Sequence, residues 1–228
     1  MPEKAEPHVT IGSSVHESLR RDIIFGRLEP GRKLHLNDLK AYYSASVSTL
    51  REGLNRLVAE GFVINEGQRG FHVAPMTMEG LKEIADLRIL IEGHALKLSI
   101  EAGDTEWEGE IVSAHHKLHR MEQRMGQGDF SVKETWKQYD WEFHQSLIGA
   151  CGSRELLSLH GTVFDKYLRY LMRLLSFRGD TAVNEHRALL AAALDRDADR
   201  AQQILRQHIA GGVQHSLTEL AGTVRVPA

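Results

Sequence analysis

Ser46-Val47-Ser48-Thr49-Leu50-Arg51-Glu52-Gly53-Leu54-Asn55-Arg56-Leu57-Val58-Ala59-Glu60-Gly61-Phe62-Val63 is the stretch that decides the fold of the N-terminal part of the chain. Leu50, Leu54, Leu57 and Val58 recur on one face at helical period, and Gly61 stops the helix. Ser46 or Ser48 can cap its start. Downstream, Phe62-Val63-Ile64 and Phe71-His72-Val73 are β-type runs on either side of a loop bounded by Gly67 and Gly70, which predicts a hairpin. Upstream, Ser44-Ala45-Ser46 breaks a short helix through Leu36, Leu39 and Tyr43. Before that, Pro30-Gly31 marks a turn. A first helix carries Val15, Leu19 and Ile23, opens on the capping-box spacing Ser14-Val15-His16-Glu17 and ends at Gly26.

Three helices and a hairpin make a winged helix-turn-helix, whose third helix enters the DNA major groove N-terminus first. Ser46, Ser48 and Thr49 then offer hydroxyls and free backbone N–H groups to phosphates. Arg51 can fork onto guanine O6 and N7, and Arg69 at the hairpin tip suits a phosphate or minor-groove contact. The competing reading is that the hydroxyls only cap the helix.

Four linked motifs, in order, resemble the GntR family of bacterial transcription regulators. They are Ile24-Phe25-Gly26-Arg27-Leu28-Glu29-Pro30-Gly31, Ser48 through Leu57, Glu60-Gly61-Phe62-Val63 and Arg69-Gly70-Phe71-His72-Val73. Carried over position by position, the resemblance implies DNA contacts from Ser46, Ser48, Thr49, Arg51, Arg69 and Gly70. It also implies a homodimer on a short palindromic operator in double-stranded DNA. Val47 stands where relatives often have Arg, and Gly53 where Ala is usual.

Composition is compatible with this. The 228 residues are 42% hydrophobic and 26% charged, with a net charge of −3. Residues 1–75 hold ten Lys+Arg against nine Asp+Glu, and the remainder eighteen against twenty-two, so only the N-terminal segment is not acidic. With no run of 18 apolar residues, no membrane span is expected. The charged start MPEKAEPHVT is no signal peptide, and a single cysteine, Cys151, fits a reducing bacterial cytoplasm.

Beyond residue 77 the periodicity is helical throughout. Amphipathic segments fall at 78–102, 105–126, 131–151, 153–177, 181–195 and 197–221, with glycine- or aspartate-rich breaks between them. The expected fold is therefore mostly α: a winged helix-turn-helix over 8–75 and an all-α six-helix bundle over 78–221.

Polar residues on apolar stripes carry the second functional signal. Asp140 and His144, four apart, share a stripe with Trp136, Phe143 and Leu147. His186 lies on a stripe with Leu189, Leu190 and Ala193, and His208 on one with Ala201, Ile204 and Leu205. A buried carboxylate needs a partner or a cation. Each histidine alone reads as a satisfied core residue, and Asp140–His144 alone as a buried ion pair. Together the four can converge on a divalent metal, zinc first, with nickel or manganese as alternatives. His115, His116 and His119 flank the stripe Trp107, Ile111, Ala114, Leu118, Met121 and Met125, and read as a solvated face.

Asp140-Trp141-Glu142-Phe143-His144, Glu185-His186, His208-Ile209 and Leu87-Arg88 with Glu92 resemble the FCD ligand-binding domain of the FadR branch, in its six-helix VanR-type form. The resemblance implies metal binding by Asp140, His144, His186 and His208. Arg88, on the stripe Leu81, Ile84, Arg88, Ile91 and Ala95, needs an anionic partner, either Glu92 or an incoming carboxylate. Trp136, Tyr139, Arg169 and Arg173 are further candidate pocket residues. The leading expectation is a repressor controlled by a small organic acid bound at the metal site. The alternatives are a metal-dependent enzyme and a regulator with a purely structural metal.

Overall fold

In a computed structural model, the structure describes residues 11–174 and 177–223, which divide into two units. The first comprises residues up to Thr77 together with Leu168–Arg173, and the second the rest. Among the described residues there are nine α-helices and one two-stranded sheet.

In the first unit α1 (Ile11–Ile24) packs on α3 (Val47–Ala59), with α2 (Leu36–Tyr43) between them in sequence. Their shared core is Val15, Leu19, Ile23, Leu39, Leu50, Leu54 and Leu57, all buried. Tyr43 donates to Asp22 at 2.6 Å, tying α2 to α1. Ser44 takes a left-handed conformation at the end of α2, which makes the sharp turn into α3. Ser46 caps α3: its hydroxyl accepts from the Thr49 N–H at 3.1 Å. At the other predicted cap the structure differs. α1 is already helical at Ile11, so Ser14 is an exposed residue within the helix. The Ser-x-x-Glu spacing is compatible with a helix interior as well as a cap when the side chain is free to face solvent.

The wing pairs β1 (Val63–Asn65) with β2 (Phe71–Val73) antiparallel, Ile64 opposite His72. A bridge from Lys33 to His72 adds the preceding loop to its edge. The tip is one 3₁₀ turn, Gly67–Arg69, closed by Gly70 at φ +84° and ψ −156°, a conformation that only glycine adopts without strain.

The second unit contains α4 (Met78–Ala102), α5 (Thr105–Gly126), α6 (Lys133–Ile148), α7 (Arg154–Leu174, of which Leu168–Arg173 falls in the first unit), α8 (Asp180–Leu194) and α9 (Ala198–Thr223). The six predicted segments are thus six helices. α6 is shorter than its segment because Phe130–Val132 forms a separate 3₁₀ turn. α4 packs on α9 and α6, α5 on α6 and α8, and α8 on α9. The polar residues of the stripes on α6, α8 and α9 come together inside this unit.

Candidate functional site

The first unit presents an exposed polar surface on a buried apolar scaffold. Arg51, Ser46 and Ser48 are exposed on the first turns of α3, with Thr49 and Gly70 partly covered. The three hydroxyls form a chain, Ser46 to Ser48 at 2.7 Å and Ser46 to Thr49 at 2.9 Å. Arg51 shares a cleft of about 510 Å³ with His35, Asn37, Val47, Gln68 and Gly70, so the recognition-helix start and the wing tip line one surface. Arg69 is 82% exposed and only 3.8 Å from Glu66, a loose surface pair that leaves its guanidinium available. The hydroxyl of Ser46 caps the helix, and the residue is exposed, so the cap does not remove it from the surface.

In the second unit the functional groups are the core. Asp140 and His144 on α6, His186 on α8 and His208 on α9 are all buried and offer ligand atoms within 4.8 Å of one another. His186 Nε2 lies 3.4 Å from Asp140 Oδ1, and the His186 and His208 rings are 4.6 Å apart. Each imidazole is held from behind by a carboxylate. Glu92 of α4 takes His144 Nδ1, Glu122 of α5 takes His186 Nδ1 at 2.6 Å, and Glu185 of α8 takes His208 Nδ1 at 2.8 Å. An Nδ1–H donated backwards leaves the Nε2 lone pair pointing forwards, the arrangement in which carboxylates orient metal-ligating histidines. His144 Nε2 and His186 Nε2 are buried and without a hydrogen-bond partner among the described residues. Two such nitrogens beside a carboxylate are costly in a core without a cation to share. The residues present therefore fit a divalent metal with one oxygen and three nitrogen donors.

Electrostatics prepare the donors. Burial pushes His208 down to about 3 despite Glu185, and burial likewise lowers His144 against the pull of Glu92, so both rings are neutral at pH 7. Burial opposes the charged form of Asp140, but Lys137 and the neighbouring imidazoles outweigh it and hold the carboxyl below its ordinary value. Glu185 is lowered to about 2: burial is overcome by its bonds to His208 and Arg178. Burial lowers Lys137 to about 8, with Asp140 acting in the opposite direction.

The other predicted pocket residues divide. Arg88 is 1% exposed, and its Nε donates to Glu92 at 2.7 Å while Phe164 and Tyr167 lie against the guanidinium at 4.4 and 4.7 Å. Of the two partners expected for it, the structure shows Glu92, one turn along the same helix. Arg88 fixes the carboxylate that fixes His144. Trp136 is buried one turn before Asp140, against Phe177. Tyr139 lies on the flank of α6 under Lys117 of α5, outside the quartet. Arg169 and Arg173 fall in the first unit. Arg169 donates to the Ala74 carbonyl, and Arg173 lies against Gly26, a position the amphipathic pattern of α7 alone does not distinguish from the pocket. The histidines read as a solvated face are only partly so. His116 is exposed, but His115 packs edge-on against Phe143 at 5.3 Å, and His119 Nδ1 approaches Glu122 at 3.6 Å.

Comparison with known families decides the identity. Residues 11–73 match the gntR family of bacterial regulatory proteins, and residues 83–211 match the FCD domain. The chain belongs to the GntR family, with an FCD domain. It is therefore a DNA-binding transcriptional regulator rather than an enzyme, and the metalloenzyme alternative falls. The HTH-type transcriptional regulator BphR of Paraburkholderia xenovorans is 38% identical, covering 86% of this chain and 81% of its own. The HTH-type transcriptional repressor GlaR of Escherichia coli is 34% identical, covering 84% and 89%. In fold, the chain resembles E. coli McbR/YncC, with a TM-score of 0.77 at 20% identity over 93% of this chain and 99% of that one. Among the described residues of this GntR regulator, no helix is long and apolar enough to cross a membrane.

Several residues of the FCD site escape a stripe-by-stripe reading. Glu122 is buried where Met121 was expected, because α5 places 118, 122 and 125 inward. A glutamate four residues after a core leucine was the available signal. His160 of α7 is fully buried, bonding Glu92 at 2.9 Å and Gln145 at 2.6 Å. Arg178 holds Glu185 at 2.6 Å. Gly211 and Gly212 make room for Arg178 and Tyr167: a Cβ would stand 2.8 Å from Arg178 Nη1 and 2.9 Å from Tyr167 Oη, respectively. A Gly-Gly pair inside a helix is the trace this leaves in the sequence.

Proposed function

We propose that this regulator is a repressor, a homodimer on a short palindromic operator, released or retained by a small organic acid that reaches a divalent metal in the FCD domain. Zinc is the ion proposed first, with nickel and manganese as alternatives, because three imidazoles and one carboxylate suit all three. The observation that carries the reading is the set of three imidazoles with Nδ1 held by Glu92, Glu122 and Glu185, and ring neighbours gathered on Asp140. An ion held there would offer Lewis-acid positions to a carboxylate. The protein's own residues do the rest: Arg88 and His160 fix Glu92, Arg178 fixes Glu185, and the helices that carry them respond together to what binds.

On the DNA side, Arg51 and Arg69 are the proposed base and groove contacts, with Ser46, Ser48, Thr49 and the Gly70 backbone positioning them on phosphates. Leu87 and Leu90, 40% and 69% exposed on α4, support pairing of two copies. An acid can shift DNA affinity only by its differential affinity for the two arrangements of the dimer. The test is a gel shift with the promoter of the protein's own operon, with and without chelator and candidate acids. Operator affinity indifferent to every acid, with metal bound, would leave a regulator whose metal is purely structural.

A further inference from the structure

Lys137 lies on α6 one turn before Asp140 and is 5% exposed. A buried ammonium is expensive unless paired. Among the described residues no carboxylate comes within ion-pairing distance of it; its Nζ sits instead 3.9 Å from the centre of the Trp136 ring. The charges that act on it are Asp140, which attracts, and Arg88, Arg178 and Lys133, which repel. Arg88 and Arg178 are already matched, by Glu92 and Glu185. Next to Lys137, the Trp136 Nε1–H is buried and without an acceptor. Two adjacent donors at the same turn, the Lys137 ammonium and the buried Trp136 indole N–H, therefore lack an acceptor among the described residues.

The charge balance has the same sign. Counting only the carboxylates and the fixed cations, Arg88, Lys137 and Arg178 face Glu92, Glu122, Asp140 and Glu185, one negative charge in excess. A divalent ion at the quartet reverses this to one positive charge in excess, and Lys137 is the cation left without a counter-charge.

We infer that Lys137 and Trp136 receive the acidic group of the effector, with the Lys137 ammonium and the Trp136 indole N–H both donating to one carboxylate. This rests on the reading of the FCD domain as the acid sensor and names the residues that make it select for an anion. An ammonium gives a strong but geometrically permissive contact, and the indole N–H beside it supplies direction. Neutral analogues of the same shape would leave both donors unpaired and are rejected.

The experiment uses the full-length, zinc-loaded protein and three simple probes, acetate, lactate and succinate, each against matched chloride. Binding is read from the shift in thermal-unfolding midpoint. At least one probe is expected to bind wild type, at least tenfold more weakly Lys137→Met, and within about threefold of wild type Lys137→Arg. Trp136→Phe should weaken it severalfold. Zinc content should be equal in all variants, and Lys137→Met without acid should melt no lower than wild type, since it loses an unpaired charge. Equal probe binding in wild type and Lys137→Met overturns the inference and leaves the metal-bound effector standing. Binding that needs Lys137 but survives zinc removal keeps the inference and overturns the metal contact. No response of wild type to any of the probes overturns both. A Lys137→Met protein that melts lower or loses zinc makes the residue structural and overturns the inference.

Discussion

The two units put their functional residues on opposite sides of the same divide. In the winged helix the chemistry is outside and the scaffold inside: Arg51 and Ser48 are exposed while Leu50, Leu54 and Leu57 of the same helix are fully buried. In the FCD unit the chemistry is the interior: Asp140, His144, His186 and His208 occupy positions that apolar side chains would otherwise fill. Function in the first unit can be changed without touching stability. In the second, the candidate metal ligands are core residues, so a change there touches the packing as well.

Substitutions at the ligands should show the largest effect. His144→Ala, His186→Ala or His208→Ala should each abolish binding of about one metal ion per chain by elemental analysis. Each should also lose the metal-dependent part of stability, on the order of 3–4 kcal/mol where metal is in 100- to 1,000-fold excess over Kd. Glu122→Gln should retain metal but bind it about 10–100-fold more weakly. His116→Ala should do neither. Full metal occupancy in all three ligand variants would dissolve the contrast between the units.

Arg51→Ala tests the other half. It should cost about 1–3 kcal/mol of operator affinity per half-site by gel shift, while the unfolding midpoint stays within about 0.5 kcal/mol of wild type. A variant that unfolds early would place Arg51 in the scaffold instead.

The FCD interior should also be the acid-sensitive part of the metal-free protein. His208, held near 3 in the fold against about 6.5, refuses a proton the unfolded chain accepts, so its contribution is lost as pH falls from about 6.5 toward 3. Glu185, at about 2 against about 4.5, adds a loss only below about 4.5. Chemical denaturation of metal-free protein should therefore give stability falling between pH 6.5 and 4.5, with a shallower slope in His208→Gln. An identical slope in that variant would mean other groups govern the acid limb.

Gly53→Ala should have the smallest effect and be favourable, about 0.5–1 kcal/mol by thermal unfolding. Its methyl would meet His16 Cα and Leu19 Cδ1 at 3.6 Å, ordinary contact distances, so the helix gains without a clash. A lower midpoint would show that α1 and α3 need the closer approach.

What the sequence made legible follows the same divide. Every helix of the FCD unit and the wing hairpin could be read from periodicity and breakers, because a stripe is a local property. The quartet was legible because Asp140, His144, His186 and His208 each interrupt such a stripe. The supporting shell was not. Glu122 and His160 come from helices whose pairing with α8 and α4 no local pattern specifies, and Lys137 looks like any solvated residue beside Trp136. The surroundings of Arg169 and Arg173 were illegible for a related reason: α7 is one helix, but its residues Leu168–Arg173 belong to the other unit.

The ring of carboxylates behind the histidines has a consequence for how the protein is made. Glu92 sits on the first helix of its unit and His208 on the last, with Glu122, His144 and Glu185 between. On the ribosome, no growing chain can assemble the quartet before α9 has emerged. Until then Glu92 can pair with Arg88 of its own helix and with His144 of α6, but Asp140 and His144 have no His208 beside them. A chain that stops before α9 therefore lacks His208, and with it one of the four groups of the quartet.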